Sequence, residues 1–276
     1  MSGFDQRPIG VFDSGVGGLT VLKALMEALP HERMVYLGDT ARVPYGTKSG
    51  EVVTRYSQKN AEFLLARQIK LLVVACNTAS AVALPHLMAT LPVPVVGVIE
   101  PGARAAVAAT RSGRVGVIGT PGTIKSGAYQ KALLARRNDL TVHSLACPLF
   151  VPLAEEGWTH GEVPRLVARA YLGSLQDARI DTLVLGCTHY PLLREAIAEV
   201  LGPSVTLVDS AEATAKVVAE RLAAEGLLAQ RGDPAEHDYF VTDVPDHFHE
   251  VSARFLGQKV TRAEQVDLPF GDPPAR

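Results

Sequence analysis

The sequence predicts an α/β protein of two similar halves, each a mainly parallel sheet flanked by helices. Three observations predict it. Short aliphatic runs alternate with helical patterns along nearly all of the 276 residues, the signature of parallel α/β sheets. One strand-to-helix unit occurs twice. Residues 71–80 read LLVVACNTAS and 183–191 read LVLGCTHYP; each is an unalternating apolar run that stops at a cysteine followed by small polar residues. Such runs read as strands buried on both faces. The spacing ahead of the cysteines also agrees: Asp13, ending the first strand, precedes Cys76 by 63 positions, and Gly119, ending its counterpart, precedes Cys187 by 68.

The first half reads as follows. Residues 8–12 (PIGVF) form a strand that ends at Asp13-Ser14-Gly15, with a glycine-rich turn through Gly18 and a helix over 19–29. Such a turn is an anion-binding geometry, although its spacing is not G-x-G-x-x-G. Asp13, placed ahead of the glycines, suits an ammonium group or a thiol proton better than a phosphate. Residues 34–37 form a strand running to Gly38-Asp39; Asp39 reads as a turn residue. The TARVPYG stretch, 40–46, is a loop because Pro44 and Gly46 break regular structure. A helix follows over 51–68, and then the strand 71–75. The turn after Cys76 leads to a helix over 79–88 with Thr78 or Ser80 as N-cap. Residues 92–98 (PVPVVGV) form a fourth strand, and 99–102 (IEPG) a crossover between the halves.

The second half opens the same way, with a strand over 114–118, a turn over 119–122 and a helix over 124–134. A strand over 140–145 runs to Cys147-Pro148, and 152–156 (PLAEE) sets two carboxylates beside Gly157. A helix over 162–175, a strand over 180–185 and a helix over 192–201 follow. The last part holds a strand over 205–208, an amphipathic helix over 211–225, a strand over 239–242 and a helix over 249–256. Residues 267–276 are proline-rich and expected to fray.

Composition narrows the function. The length suggests about two domains, and 47% hydrophobic residues are ample for packed cores. A formal net charge of −2 gives no electrostatic reason to expect nucleic acid. No apolar run approaches the roughly 18 residues that would span a bilayer. The opening MSGFDQRPIG has neither a basic nor a long apolar segment, so no secretory signal is expected. Three cysteines without a CxxC pair argue against a disulfide framework or a zinc ribbon. The expected compartment is the reducing cytoplasm, where thiols stay free.

Cys76 and Cys187 thus stand at the carboxyl ends of buried strands, where open α/β sheets place their ligands. A single buried cysteine is most simply an inert core thiol; the repeated setting argues for one shared site. Cys187 and His189 could form a hydrolytic pair, which would leave Cys76 without a task. Two thiols facing one carbon have another: one removes a proton and the other returns one to the opposite face, inverting the centre. Thiols suit this because their ordinary pKa lies near 8.5. Asp13 is the candidate partner of Cys76; His189 and Glu155 are those of Cys187. Cys147 has no twin and reads as structural. His247 and His249 lie near Asp243 and Asp246 but lack a third ligand in register, so no metal site is expected. Trp158 reads as a lid or interface aromatic.

The stretches DSGVGGLTV, GDTARVPYG, ACNTASA, CPLFVPLAEEG, LGCTHYPLL and LVDSA resemble the glutamate racemases of the cofactor-independent aspartate/glutamate racemase superfamily, over about residues 9 to 256. The resemblance implies interconversion of L- and D-glutamate without pyridoxal phosphate or metal, the D-glutamate feeding peptidoglycan synthesis. Cys76 would act on the α-proton of the D-enantiomer with help from Asp13. Cys187 would act on that of the L-enantiomer with help from Glu155 and His189. Ser14, Tyr45, Gly46, Asn77, Thr78, Thr120 and Thr188, together with Asp13 and His189, would hold the substrate. The implied fold has two α/β domains related by a pseudo-two-fold, 1–98 with 207–276 and 99–206, the active site lying in the cleft between them. A homodimer is implied as well. Rivals are an aspartate or hydantoin racemase, a nucleotide-binding dehydrogenase, and a two-lobed amino-acid-binding protein without catalysis. The TARVPYG and CTHYP stretches favour glutamate.

Overall fold

The computed structural model describes residues 4–230, 232 and 234–268. The first run of elements is β1 (Ile9–Asp13), α1 (Leu19–Ala28), β2 (Met34–Gly38), α2 (Gly50–Leu65), β3 (Leu71–Val74), α3 (Asn77–Val82), α4 (Leu84–Thr90), β4 (Val95–Gly97) and α5 (Ile99–Ala109). The second is β5 (Arg114–Gly119), α6 (Pro121–Ser126), α7 (Ala128–Arg136), β6 (Thr141–Ala146), α8 (Phe150–Glu155), α9 (Glu162–Asp177), β7 (Thr182–Gly186), α10 (Arg194–Leu201) and β8 (Thr206–Asp209). The chain closes with α11 (Ala211–Glu225), β9 (Asp238–Val241), α12 (Pro245–Leu256) and β10 (Glu264–Gln265).

The strands build two sheets, β10-β9-β2-β1-β3-β4 and β6-β5-β7-β8. Every strand pairing in both is parallel. The order β2-β1-β3-β4 recurs as β6-β5-β7-β8, so β3 and β7 are equivalent strands, and Cys76 and Cys187 occupy equivalent positions beyond their ends. Both strands are buried along their whole length, which is why their sequences run aliphatic without alternation. Each sheet carries a separate apolar cluster on either face, giving two α/β domains.

Several elements differ from the sequence reading for identifiable reasons. The helix expected over 79–88 is two helices, because Pro85 brings no N–H to the first turn of α4 and a break falls at Ala83. The helix over 124–134 is likewise split at Gly127, which adopts φ +65. The stretch 99–102 is the first turn of α5 rather than an open crossover. Pro101 looks like a breaker but stands in the first turn, where N–H groups lack intrahelical partners, and the Gly102 N–H already bonds Val98 O at 3.2 Å. Neither Thr78 nor Ser80 caps α3. Cys76 does so itself, its Sγ accepting the Ala79 N–H at 3.5 Å, while Ser80 Oγ donates to Val74 O at 2.8 Å. The second crossing, expected at 206/207, falls inside β8, a strand of the four-stranded sheet. The short β10 carries no pattern of its own in the sequence. Residues 269–276, most of the stretch expected to fray, lie outside the described residues.

One buried ion pair ties the amino-terminal edge of the larger sheet together. Lys70 Nζ lies 2.6 Å from Glu32 Oε2 and donates to Asp5 O at 2.6 Å and Leu227 O at 2.7 Å. Glu32 Oε1 in turn accepts the Ala229 N–H at 2.7 Å.

Candidate active site

The ends of β3 and β7 bring both thiols to one cleft between the domains, with Cys76 and Cys187 both on its wall. Both are buried, but their neighbours differ. Cys76 Sγ is 3.6 Å from Ser14 Oγ and is anchored by the Ala79 N–H through its role as helix cap. Burial first, then the charge of Asp13, pushes its pKa up to about 12. Cys187 Sγ faces His189 Nδ1 at 3.7 Å. The other ring nitrogen of His189, Nε2, lies 2.9 Å from Glu155 Oε1. Burial alone would lower the pKa of His189, but the bonds to Cys187 and Glu155 outweigh it and lift the ring to about 10. His189 therefore gives Cys187 a cationic neighbour at neutral pH.

Asp13 sits behind Cys76 rather than on the cleft wall. The glycine-rich turn after β1 is an anion site as the sequence suggests, but the anion it holds is Asp13 itself. Its Oδ2 accepts the Gly15 N–H at 2.9 Å, and the backbone of Gly18 and Ser14 also favours the charged carboxylate. Its Oδ1 is buried without a hydrogen-bond partner among the described residues. Burial raises the pKa of Asp13 above the usual carboxylate value, against the pull of His189. Glu155, at the end of α8, also stands behind the wall, orienting His189. Its backbone carbonyl accepts a bond from Arg254 of α12.

The polar residues expected to hold a ligand surround the two thiols. Ser14, Tyr45, Gly46, Asn77 and Thr78 line the cleft from the first domain, and Thr120, Thr188 and His189 from the second. Three hydroxyls meet across the boundary: Thr78 Oγ1 is 2.9 Å from Thr120 Oγ1 and 3.1 Å from Thr123 Oγ1, which are 3.0 Å from each other. Thr123 was not singled out in the sequence, although it lies one helical turn after Thr120. The Tyr45 phenol is committed elsewhere, donating to buried Asp39 Oδ2 and accepting from Asn60 Nδ2 at 3.0 Å. What the Tyr45–Thr47 turn can offer a ligand is backbone N–H, since the first such groups of a helical turn lack intrahelical partners. Asp39 is thus more than a turn residue. It also accepts from Arg42 at 2.8 Å and Thr242 at 3.0 Å, fixing the TARVPYG loop beside Cys76.

Contacts across the cleft are tight where glycines permit them. A Cβ on Gly17 would lie 2.5 Å from the His189 ring, and one on Gly46 2.5 Å from Thr120 Cβ. The cleft retains about 30 Å³, room for one water, so the domains must part to admit anything larger. Hollows of about 620 and 710 Å³ elsewhere on the surface hold neither thiol.

The remaining residues weighed from the sequence lie apart. Cys147 is buried, its pKa pushed up to about 12 by burial alone, and its carbonyl accepts the Tyr190 hydroxyl at 2.8 Å; its surroundings are structural. His249 Nε2 accepts the Ala263 N–H at 3.0 Å, whereas the His247 side chain lies outside the described residues. Trp158 is exposed and does not line the cleft.

The chain is similar to known proteins over nearly its whole length. The model of the Asp/Glu/Hydantoin racemase family matches residues 9–218. A glutamate racemase of Geobacter metallireducens is 62% identical over 262 residues, 95% of this chain and 97% of its own. Among solved structures, a glutamate racemase from Bacillus anthracis superposes with a TM-score of 0.92 at 44% identity, covering 96% of this chain and 99% of its own. One from Francisella tularensis in complex with D-glutamate superposes with a TM-score of 0.90 at 40% identity, with the same coverage.

Proposed function

The chain belongs to the Asp/Glu/Hydantoin racemase family, and on that premise we propose that it interconverts L- and D-glutamate by a two-thiol transfer of the α-proton. The observation that carries this reading is the placement of Cys76 and Cys187 beyond equivalent strands on the walls of one cleft. Substrate specificity is taken from the glutamate racemases it is similar to.

In the L-to-D direction Cys187 removes the α-proton and Cys76 protonates the opposite face. The surroundings suit these roles. His189, held cationic by Glu155, balances charge at Cys187. Burial and Asp13 keep Cys76 a thiol with its proton to give. In the D-to-L direction Asp13, whose raised pKa makes it the better proton acceptor, takes the Cys76 proton before the cycle begins. Closure expels water, which protects the carbanionic intermediate from stray protonation. Hydroxyls of Ser14, Thr78, Thr120 and Thr188, the Asn77 amide and the backbone at Tyr45-Gly46 hold the carboxylates and the ammonium group. We read the enzyme as a cytoplasmic homodimer that needs no cofactor and supplies D-glutamate for peptidoglycan.

Circular dichroism on L-glutamate and on L-aspartate, without added cofactor, tests the proposal. Loss of ellipticity with glutamate alone is expected. Racemisation of aspartate but not glutamate, or inactivity on both with a folded enzyme, would overturn it.

A further inference from the structure

Asn77 opens α3 directly after Cys76, and the inference that follows rests on its proposed role as a substrate contact. Its side-chain oxygen is occupied: Oδ1 accepts from the Tyr129 hydroxyl at 2.6 Å. Its Nδ2 is buried with no hydrogen-bond partner among the described residues, and the residue lines the cleft. Tyr129 belongs to α7 of the second domain, so this bond crosses the domain boundary. A phenol has one proton to give. That proton goes to Asn77 Oδ1, which fixes the orientation of the amide.

The ring is seated for this task. Tyr129 is buried and lies where two glycines leave space. A Cβ on Gly186, the residue before Cys187, would fall 2.9 Å from ring Cε2, and one on Gly102 would fall 3.3 Å from the hydroxyl. The phenol thereby joins the segments that precede Cys187 and follow Cys76.

We propose that Tyr129 is a positioning residue for substrate binding: its hydroxyl locks the Asn77 amide so that Nδ2 is presented to the cleft as a donor for a substrate carboxylate. The competing possibility is a plain strut between the domains that never acts through Asn77.

Kinetics of Tyr129→Phe, alone and combined with Asn77→Ala, separate the two. The substitution keeps the ring and its packing and removes only the hydroxyl. KM for L- and D-glutamate should rise about three- to tenfold, with kcat changed less than about twofold. In the Asn77→Ala background the same substitution should raise KM no further, because the amide it orients is gone. An unchanged KM in Tyr129→Phe, or an equal rise in both backgrounds, would overturn the proposal. Asn77→Ala with unchanged KM would overturn it at a different point, the assignment of Asn77 to the substrate. A wild-type enzyme inactive on glutamate would defeat the proposed function beneath both. Should Tyr129→Phe not fold, Asn77→Asp, which keeps an oxygen for the Tyr129 hydroxyl and replaces the Nδ2 donor by a second acceptor, is measured instead. A KM rise of about tenfold for both enantiomers is expected, and an unchanged KM overturns the proposal.

Discussion

Gly17 and His189 touch across the cleft without space for a single methyl group between them: a Cβ on Gly17 would lie 2.5 Å from both Nδ1 and Cε1 of the imidazole. The same ring pairs with Cys187 and Glu155, so a residue of the first domain sets the seat of the imidazole that faces Cys187 in the second. Gly17→Ala should therefore leave each domain folded yet displace His189 or hold the cleft ajar. A displacement of about 1 Å costs on the order of 100-fold in turnover. Steady-state kinetics beside a thermal melt check this; near-normal kcat with unaltered stability would show that closure does not need the contact.

Replacing either of the two thiols proposed to react tests the pair. Cys76→Ala and Cys187→Ala should each lower racemisation by about 10³-fold or more, because no neighbouring group can serve the missing face. Folding should survive, as each thiol sits beyond a strand end. A folded Cys187→Ala enzyme with near-normal turnover would remove the need for two thiols.

The path of the proton separates two bases from one. In the proposed mechanism, starting from L-glutamate in heavy water, Cys187 removes protium while Cys76, exchanged with solvent, delivers deuterium. Early D product should be almost fully deuterated at the α-carbon, and recovered L-glutamate largely protiated. Proton NMR at low conversion reads both pools. Early product that keeps its α-proton would point to one base serving both faces.

The raised pKa of His189 links pH to stability. Its folded value, about 10, stands above the ordinary 6.5. The stability it contributes is therefore complete below about pH 6.5 and is lost as pH rises toward 10. Above pH 9 the raised thiol of Cys76 adds loss of the same sign. Glu155→Gln removes one of the bonds that lift His189, so the decline should still start near pH 6.5 but end at lower pH, with a smaller total loss. Urea midpoints between pH 6 and 10 measure it, and identical curves for variant and wild type would contradict the assignment.

Lys70 lies buried against Glu32 and two backbone carbonyls. Lys70→Met would leave the Glu32 carboxylate buried opposite an apolar chain, at a cost of about 3 to 5 kcal/mol. Chemical denaturation should report that loss with little change in KM, since the pair lies at the edge of the sheet away from the cysteines. A loss below about 1 kcal/mol would mean that Glu32 has found another partner.

Much of this was legible along the chain. Strands buried on both faces must be aliphatic, so β1, β3, β5 and β7 announce themselves, and a cysteine ending two of them marks the paired thiols without any coordinates. Asp13, His189 and the small polar residues after each strand are readable for the same reason: a sheet's carboxyl edge is where local sequence and site coincide. Groups recruited from elsewhere were not legible. Nothing local to Tyr129 says that its hydroxyl will meet Asn77, 52 positions away. Nothing near Asp39 reveals that Tyr45, Arg42 and Thr242 will converge on it. The glycines after Asp13 read as a turn, yet Gly17 is small because His189, 172 positions on, needs its space. Periodicity and turn chemistry act over a few residues and are written in the sequence. The partner of a buried hydroxyl, or the room beside a glycine, depends on how two separately built domains dock, and only the tertiary structure decides that.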